Sequence, residues 1–234
     1  MIILKSMIAR MKTVFREEGL TSLLKRGFSY LVHRVFSQVI YYLNESPIQE
    51  LGIDLDDFLP NIPDLTYQFI RTNREADEVA NKFKDFRLYF LNSRERLDSG
   101  AIALCIYIGQ EPAYICWIAM NESAKATFGD VPCHMDFNNR EAFVGGEVTI
   151  LKYRRKGIKT YGVHLRDLFL KEMGVTKKRS AISVRNDANL KATIGRKNMI
   201  YAKALYIKLF FWKFWKEVPI SPPLTVEQVI SKYK

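Results

Sequence analysis

The sequence has little of the chemistry that most readily gives a function away. Its three cysteines, Cys105, Cys116 and Cys133, are odd in number and never spaced CxxC, which argues against a disulfide framework and against the usual zinc site, so no metal is expected. No uninterrupted apolar run reaches the roughly 18 residues that a membrane-spanning helix requires. The opening MIILKSMIARMK is interrupted by Lys5, Arg10 and Lys12 and so lacks the continuous apolar segment of a secretory signal. GxxxxGK[ST] and GxGxxG are both absent, as are internal repeats and low-complexity tracts. These absences predict a cytoplasmic protein with reduced thiols, in which Cys105 and Cys116, lying in apolar runs, are core fillers rather than nucleophiles.

What is present suits a packed domain with an anionic partner. Apolar residues make up 48% and charged residues 26% of the 234 positions, enough to form a core and too apolar for wholesale disorder. Lysine and arginine outnumber aspartate and glutamate 36 to 25. An excess of that size points to nucleic acid, an acidic membrane surface or a phosphorylated co-substrate.

Residues 1–45 read as a basic, amphipathic helical extension. Leu20, Leu23, Leu24, Phe28, Leu31, Val32, Val35, Val39, Ile40 and Leu43 recur at three-four spacing, with an earlier stripe from Ile3 to Phe15 and a break at Gly19. Seven Lys or Arg stand against two Glu between Met1 and Asn44, which suits the anionic inner face of a membrane. The stripe serves equally to pack on the main domain or on a second copy of the chain as a homodimer. Residues 46–65, with Pro47, Pro60 and Pro63, read as a connector.

From residue 66 the pattern alternates strands and helices. LTYQFIRT is a strand, and NREADEVANKFKDF a helix capped by Asn73. GAIALCIYIG and EPAYICWIAM form a hairpin turning at Gly109 to Pro112. AFVGGEVTIL is a strand, TYGVHLRDLFLKEMG a helix closed by Gly174, RSAISV a strand and NDANLKATI a short helix. MIYAKALYIKLFFWKFW fits a strand pair or a basic aromatic helix, and the tail, residues 219–234, ends in a helix capped by Thr225. The order predicts an α/β (α+β) fold, a mixed, mostly antiparallel sheet flanked by helices.

Within this order, ILKYRRKGIKTYGVHL places Arg154, Arg155, Lys156 and Lys159 around Gly157 where a strand passes to a helix. Such a joint binds phosphate, because N–H groups of a first helical turn have no internal acceptor and the helix dipole adds positive potential. The stretch resembles the pyrophosphate loop of the GNAT superfamily of acyl-CoA-dependent N-acyltransferases, whose pattern is Arg or Gln, two residues, Gly, one residue, then Gly or Ala. Arg154, Arg155, Lys156, Gly157 and Ile158 match it, and Lys159 departs from it. VTILKY resembles that family's splayed fourth strand, Tyr153 its usual aromatic, and Asn186, with Asn189 as the alternative, its asparagine after the fifth strand. The family's tyrosine general acid has no evident counterpart.

The resemblance covers residues 66–218 and implies an N-acyltransferase, most simply an N-acetyltransferase, with acetyl-CoA or a longer acyl-CoA as co-substrate. A primary amine would attack the thioester, with the Ile150 N–H as oxyanion donor and Glu147 as base. Glu147 reads equally as a strand-end surface carboxylate. His134 and Asp136 fall in a long segment between strands with no assignable role, and His164 reads as a packed or surface histidine. The alternatives are a catalytically inactive GNAT-like module that binds or assembles, and, on charge alone, nucleic-acid binding, which has no motif to support it.

Overall fold

The structure, a computed structural model, describes residues 35–48, 55–128, 131–194 and 198–233, together with positions 11, 15, 16, 19–22, 24 and 25. In chain order the first elements are β1 (Phe36–Pro47), β2 (Leu65–Ile70), α1 (Asn73–Ala80), α2 (Ser93–Asp98), β3 (Ile102–Ile108), β4 (Glu111–Ala119) and α3 (Glu122–Ala126). Then come β5 (Glu141–Thr149), α4 (Ile158–Glu172), β6 (Lys177–Ser183), α5 (Asp187–Lys191), β7 (Met199–Leu209), β8 (Trp212–Thr225) and α6 (Val226–Tyr233). The chain divides into two compact units, Ser46–Ser180 and a second made of Met1–Glu45 with Ala181–Lys234.

In the unit Ser46–Ser180 the strands lie in the order β2-β3-β4-β5-β6. All neighbours are antiparallel except β5 and β6, which are parallel. The expected hairpin is β3–β4, turning through Gly109 at φ 56° and Gln110. Nearly every residue of β3 and β4 is buried, the signature of a sheet covered on both faces. On one face α4 lays Ile158, Tyr161 and Leu165 against Leu104, Ile106, Tyr114 and Cys116. Further along, its Phe169 and Leu170 meet Ile102, Ile118, Ala142 and Val144. The opposite face packs Phe86 and Phe90 on the Trp117 ring.

One glycine sets how near α4 comes. A Cβ on Gly162 would sit 2.5 Å from Tyr114 Cε1, so the helix backbone rests directly on the β4 ring. Gly174, at φ 71°, ends the helix turn as expected, its N–H donating to the Lys171 carbonyl. The α1 cap is one residue earlier than expected: Thr72 Oγ1 accepts from the Glu75 N–H, and Asn73 is the first helical residue. The helix also stops at Ala80, and Phe86–Tyr89 form a separate 3-10 turn.

The second unit corrects the helical reading of residues 36–45. They form most of β1, which pairs antiparallel with β7 from Phe36↔Leu209 to Glu45↔Met199. Val39, Ile40, Tyr41 and Tyr42 are β-branched or aromatic and suit a pleated, half-buried surface, and the ladder offered by β7 decides between periods that the short run could satisfy either way. The ambiguous aromatic stretch resolves into the strand pair β7–β8, which extends through residue 225 into the expected tail. Tyr42, Ile182, Leu190, Ile200, Val226 and Val229 form the core of this unit, and Thr225 caps α6 by accepting from the Gln228 N–H. The helices expected between residues 1 and 34 lie largely outside the described residues; Gly19, the expected break, has φ 82°.

Candidate active site

β5 is the strand around which the candidate site is built. Its ladder with β4 runs Ala119↔Phe143, Ile118↔Val144 and Trp117↔Gly145, then slips before resuming at Ile115↔Val148 and Tyr114↔Thr149. Gly146, at φ 58°, occupies the slip as a β-bulge. Its conformation and its crowding both demand glycine, since a Cβ there would lie 2.6 Å from Arg96 Nη1 and 3.0 Å from Trp117 Cδ1. On its other edge β5 pairs with β6 only at Glu141↔Lys177, Ala142↔Lys178 and Phe143↔Arg179. From Val144 onward, two residues before the bulge, the strand has parted from that neighbour.

Backbone alternation then decides which amides face the opened edge. The Ile150 N–H donates to the Ala113 carbonyl at 2.9 Å, so this amide is engaged in the sheet and cannot act as the oxyanion donor expected of it. Tyr114 and Thr149 form the adjacent pair, and hydrogen-bonded and non-bonded pairs alternate along an antiparallel ladder. Thr149 therefore turns its N–H and C=O to the opened edge, where Arg154 Nε donates to the Thr149 carbonyl at 3.2 Å.

Beyond β5 a 3-10 turn, Leu151–Tyr153, leads into the cationic loop. Arg154, Arg155, Lys156 and Gly157 are all exposed, while Ile158 is buried and anchors the first turn of α4. Arg155 at φ 61° and Gly157 at φ 78° both take left-handed conformations. Gly157 is the N-cap of a 15-residue helix and supplies no side-chain cap. The first-turn amides are thus presented beside three cations, an arrangement that can hold a phosphate. Tyr153 packs under Lys152 and Lys156, with ammonium-to-ring distances of 4.8 and 5.8 Å.

Lys159, the departure from the GNAT pattern, turns back to β5, its Nζ 3.3 Å from Glu147 Oε2. Glu147 also accepts from Arg166 Nη1 at 2.6 Å. Arg166 in turn binds Asp167 Oδ1 at 3.1 Å, and Asp167 is paired with Lys178. Burial pushes the Glu147 carboxyl up, but Arg166 and then Lys159 outweigh it and hold it below the usual glutamate value. Asp167 is lowered in the same way against its burial, by Arg166 and Lys178. A carboxylate held ionised by two cations is a weakened proton acceptor, which counts against Glu147 as a general base.

The other expected residues have partners of their own. His164 stacks on Phe58 with ring centroids 3.6 Å apart, a packed histidine. Asp136 caps a turn by accepting from the Asn139 N–H at 3.1 Å, and the His134 carbonyl accepts from Arg179 Nη1 at 3.0 Å. Asn186 belongs to the other unit, where its side chain caps α5 by accepting from the Asn189 N–H at 3.2 Å. Cys105 and Cys116 are buried as expected, and burial pushes the Cys116 thiol up to about 12.

Two features went unread in the sequence. Arg166 lies mid-helix between Leu165 and Asp167, and its pairing with Glu147 is identified only once β5 lies beneath it. Arg96 is buried among aromatic rings, with its guanidinium carbon 5.3, 5.1 and 4.8 Å from the ring centroids of Phe90, Trp117 and Phe128. Burial lowers its pKa to about 10. The paired glycines at 145 and 146 were the available sign of a bulge beside it.

No protein-family model matches the chain, and no curated protein does. Among solved structures it is similar to a GCN5-related N-acetyltransferase from Kribbella flavida, at 15% identity over 67% of this chain and 54% of that one, with a TM-score of 0.37. A GCN5-related N-acetyltransferase from Sphaerobacter thermophilus matches at 11% identity over 89% and 60%, TM-score 0.38. The GCN5-related glucosamine N-acetyltransferase region of a fungal multi-domain GH3 beta-N-acetylglucosaminidase matches at 9% identity over 86% of this chain and 23% of that one, TM-score 0.47. The chain spans less than two thirds of the length of each. Likeness at these values assigns no activity, and the functional reading rests on β5, the loop and α4.

Proposed function

We propose that this chain is an acyl-CoA-dependent N-acyltransferase, most simply an N-acetyltransferase, acting by direct attack of a primary amine on the CoA thioester. The observation that carries the reading is the parting of β5 from β6 after Phe143, after which β5 runs through the Gly146 bulge into an exposed cationic loop and the N-terminus of α4, which has no side-chain cap. Arg154, Arg155, Lys156 and the first-turn amides of α4 are the groups for the CoA pyrophosphate. The Thr149 N–H, on the opened edge, is the oxyanion donor in place of Ile150. The amine nitrogen bonds to the thioester carbon, the C–S bond of the tetrahedral adduct breaks, and the sulfur leaves as the CoA thiolate, which takes a proton from water to give the free thiol. The amine proton departs to water, with Glu147 fixing the bulge and the first turn of α4 through Arg166 and Lys159.

A non-catalytic CoA-binding module is the second reading, favoured by the engagement of Glu147 with two cations. Release of free thiol from acetyl-CoA and from a long-chain acyl-CoA, over a panel of primary amines, separates the two. Amine-dependent thiol release supports the enzyme; CoA binding with no release from any amine supports the module.

A further inference from the structure

We propose that the tip of the β7–β8 hairpin docks on an anionic lipid surface. The turn at Phe210 and Phe211 joins the two strands, and five large apolar residues around it lie in the open: Leu209, Phe210, Phe211, Trp212 and Phe214. Phe211 is 82% and Trp212 71% exposed. Lower in β7, Ala202, Ala204 and Tyr206 are buried on the face that carries Lys208, and β8 stays largely exposed as far as Val218; within the hairpin the large exposed aromatic side chains gather at the tip.

The distribution of these side chains selects the occupant. By register, Leu209↔Trp212 and Ile207↔Phe214 share one face, and Lys208↔Lys213 lie on the other. The apolar surface therefore follows one face to the apex and continues round the turn through Phe210 and Phe211. A protein partner would cover a face; a tip that is apolar around its turn suits insertion among lipid chains, with the indole and lysine groups at headgroup level. Between residues 203 and 216 there are four lysines, Lys203, Lys208, Lys213 and Lys216, and no acid. An anionic surface attracts each of these lysines. A second copy of the chain would bring the same lysines against each other.

The test is flotation of the full chain with vesicles of phosphatidylcholine alone and of phosphatidylcholine with phosphatidylglycerol. Binding to the anionic vesicles, weakened by salt, is expected, with a blue shift of tryptophan emission that Trp212→Phe removes. Phe211→Ser with Trp212→Ser should weaken vesicle binding about tenfold or more, because two aromatic side chains lose their apolar burial. Lys208→Gln with Lys213→Gln should reduce binding to anionic vesicles alone. Circular dichroism and the melting temperature of these variants should match wild type, since the tip contributes no buried side chain. Flotation of the aromatic double variant at wild-type level overturns the proposal. Absence of lipid binding, with a wild-type dimer that the double variant converts to monomer, overturns it in favour of a self-interface.

Discussion

Lys159 Nζ lies 3.3 Å from Glu147 Oε2, tying the first turn of α4 to the bulged strand β5. The residue that breaks the small-residue pattern of the loop is thereby turned away from the exposed cations Arg154 to Lys156. Lys159→Ala should leave CoA affinity within about threefold of wild type, under 1 kcal/mol, measured by isothermal titration. It should cost on the order of 1 kcal/mol of stability, as expected for a partly screened ion pair.

Arg166 is a different case, because it is buried and serves both Glu147 and Asp167. Arg166→Ala leaves two carboxylates short of their principal cation and should cost about 3–5 kcal/mol. Arg154→Ala, on an exposed side chain, should cost within about 0.5 kcal/mol. Urea denaturation of both variants checks the contrast.

The same carboxylates give a pH dependence with a definite sign. Glu147 and Asp167 are lowered on folding from ordinary values of 4.5 and 3.8, so the unfolded chain binds more protons in that window. Their stabilisation is complete above those ordinary values and is lost as pH falls through the folded ones. Stability measured by denaturant midpoint should fall on acidification below about pH 4.5, and Glu147→Gln should make that fall shallower.

Gly162 tests the contact between α4 and β4. Alanine in a helix interior ordinarily gains up to about 1 kcal/mol over glycine, but here the Cβ would stand 2.5 Å from Tyr114 Cε1. Overpacking of that kind costs about 1–3 kcal/mol, so Gly162→Ala should lower the melting temperature, and a rise would contradict the packing described.

Local chemistry made much of this fold legible. Gly109 marked the β3–β4 turn, Gly174 the end of α4 and Thr225 the start of α6, each through a conformation or cap belonging to that residue. β1 was misread because Val35, Val39, Ile40 and Leu43 satisfy a helical spacing, and only pairing with β7 decides for a strand. At the site, Arg154 to Ile158 stand out in the sequence as a cationic run because they are contiguous. Glu147, Lys159, Arg166, Asp167 and Lys178 become one network through the fold alone, and the engagement of the Ile150 amide with Ala113 depends on a register that the bulge shifts.

Binding of CoA to the loop tests the central claim most directly. Thermal unfolding of wild type with CoA, acetyl-CoA and a long-chain acyl-CoA should show a melting temperature that rises with ligand concentration, since ligand bound only to the folded state stabilises it. Arg154→Ala with Arg155→Ala should melt within a degree or so of wild type without ligand, given the exposure of both side chains, and should lose most of the ligand-induced rise. No rise with any of the three ligands at millimolar concentration, or an equal rise in the double variant, would contradict the assignment of the loop.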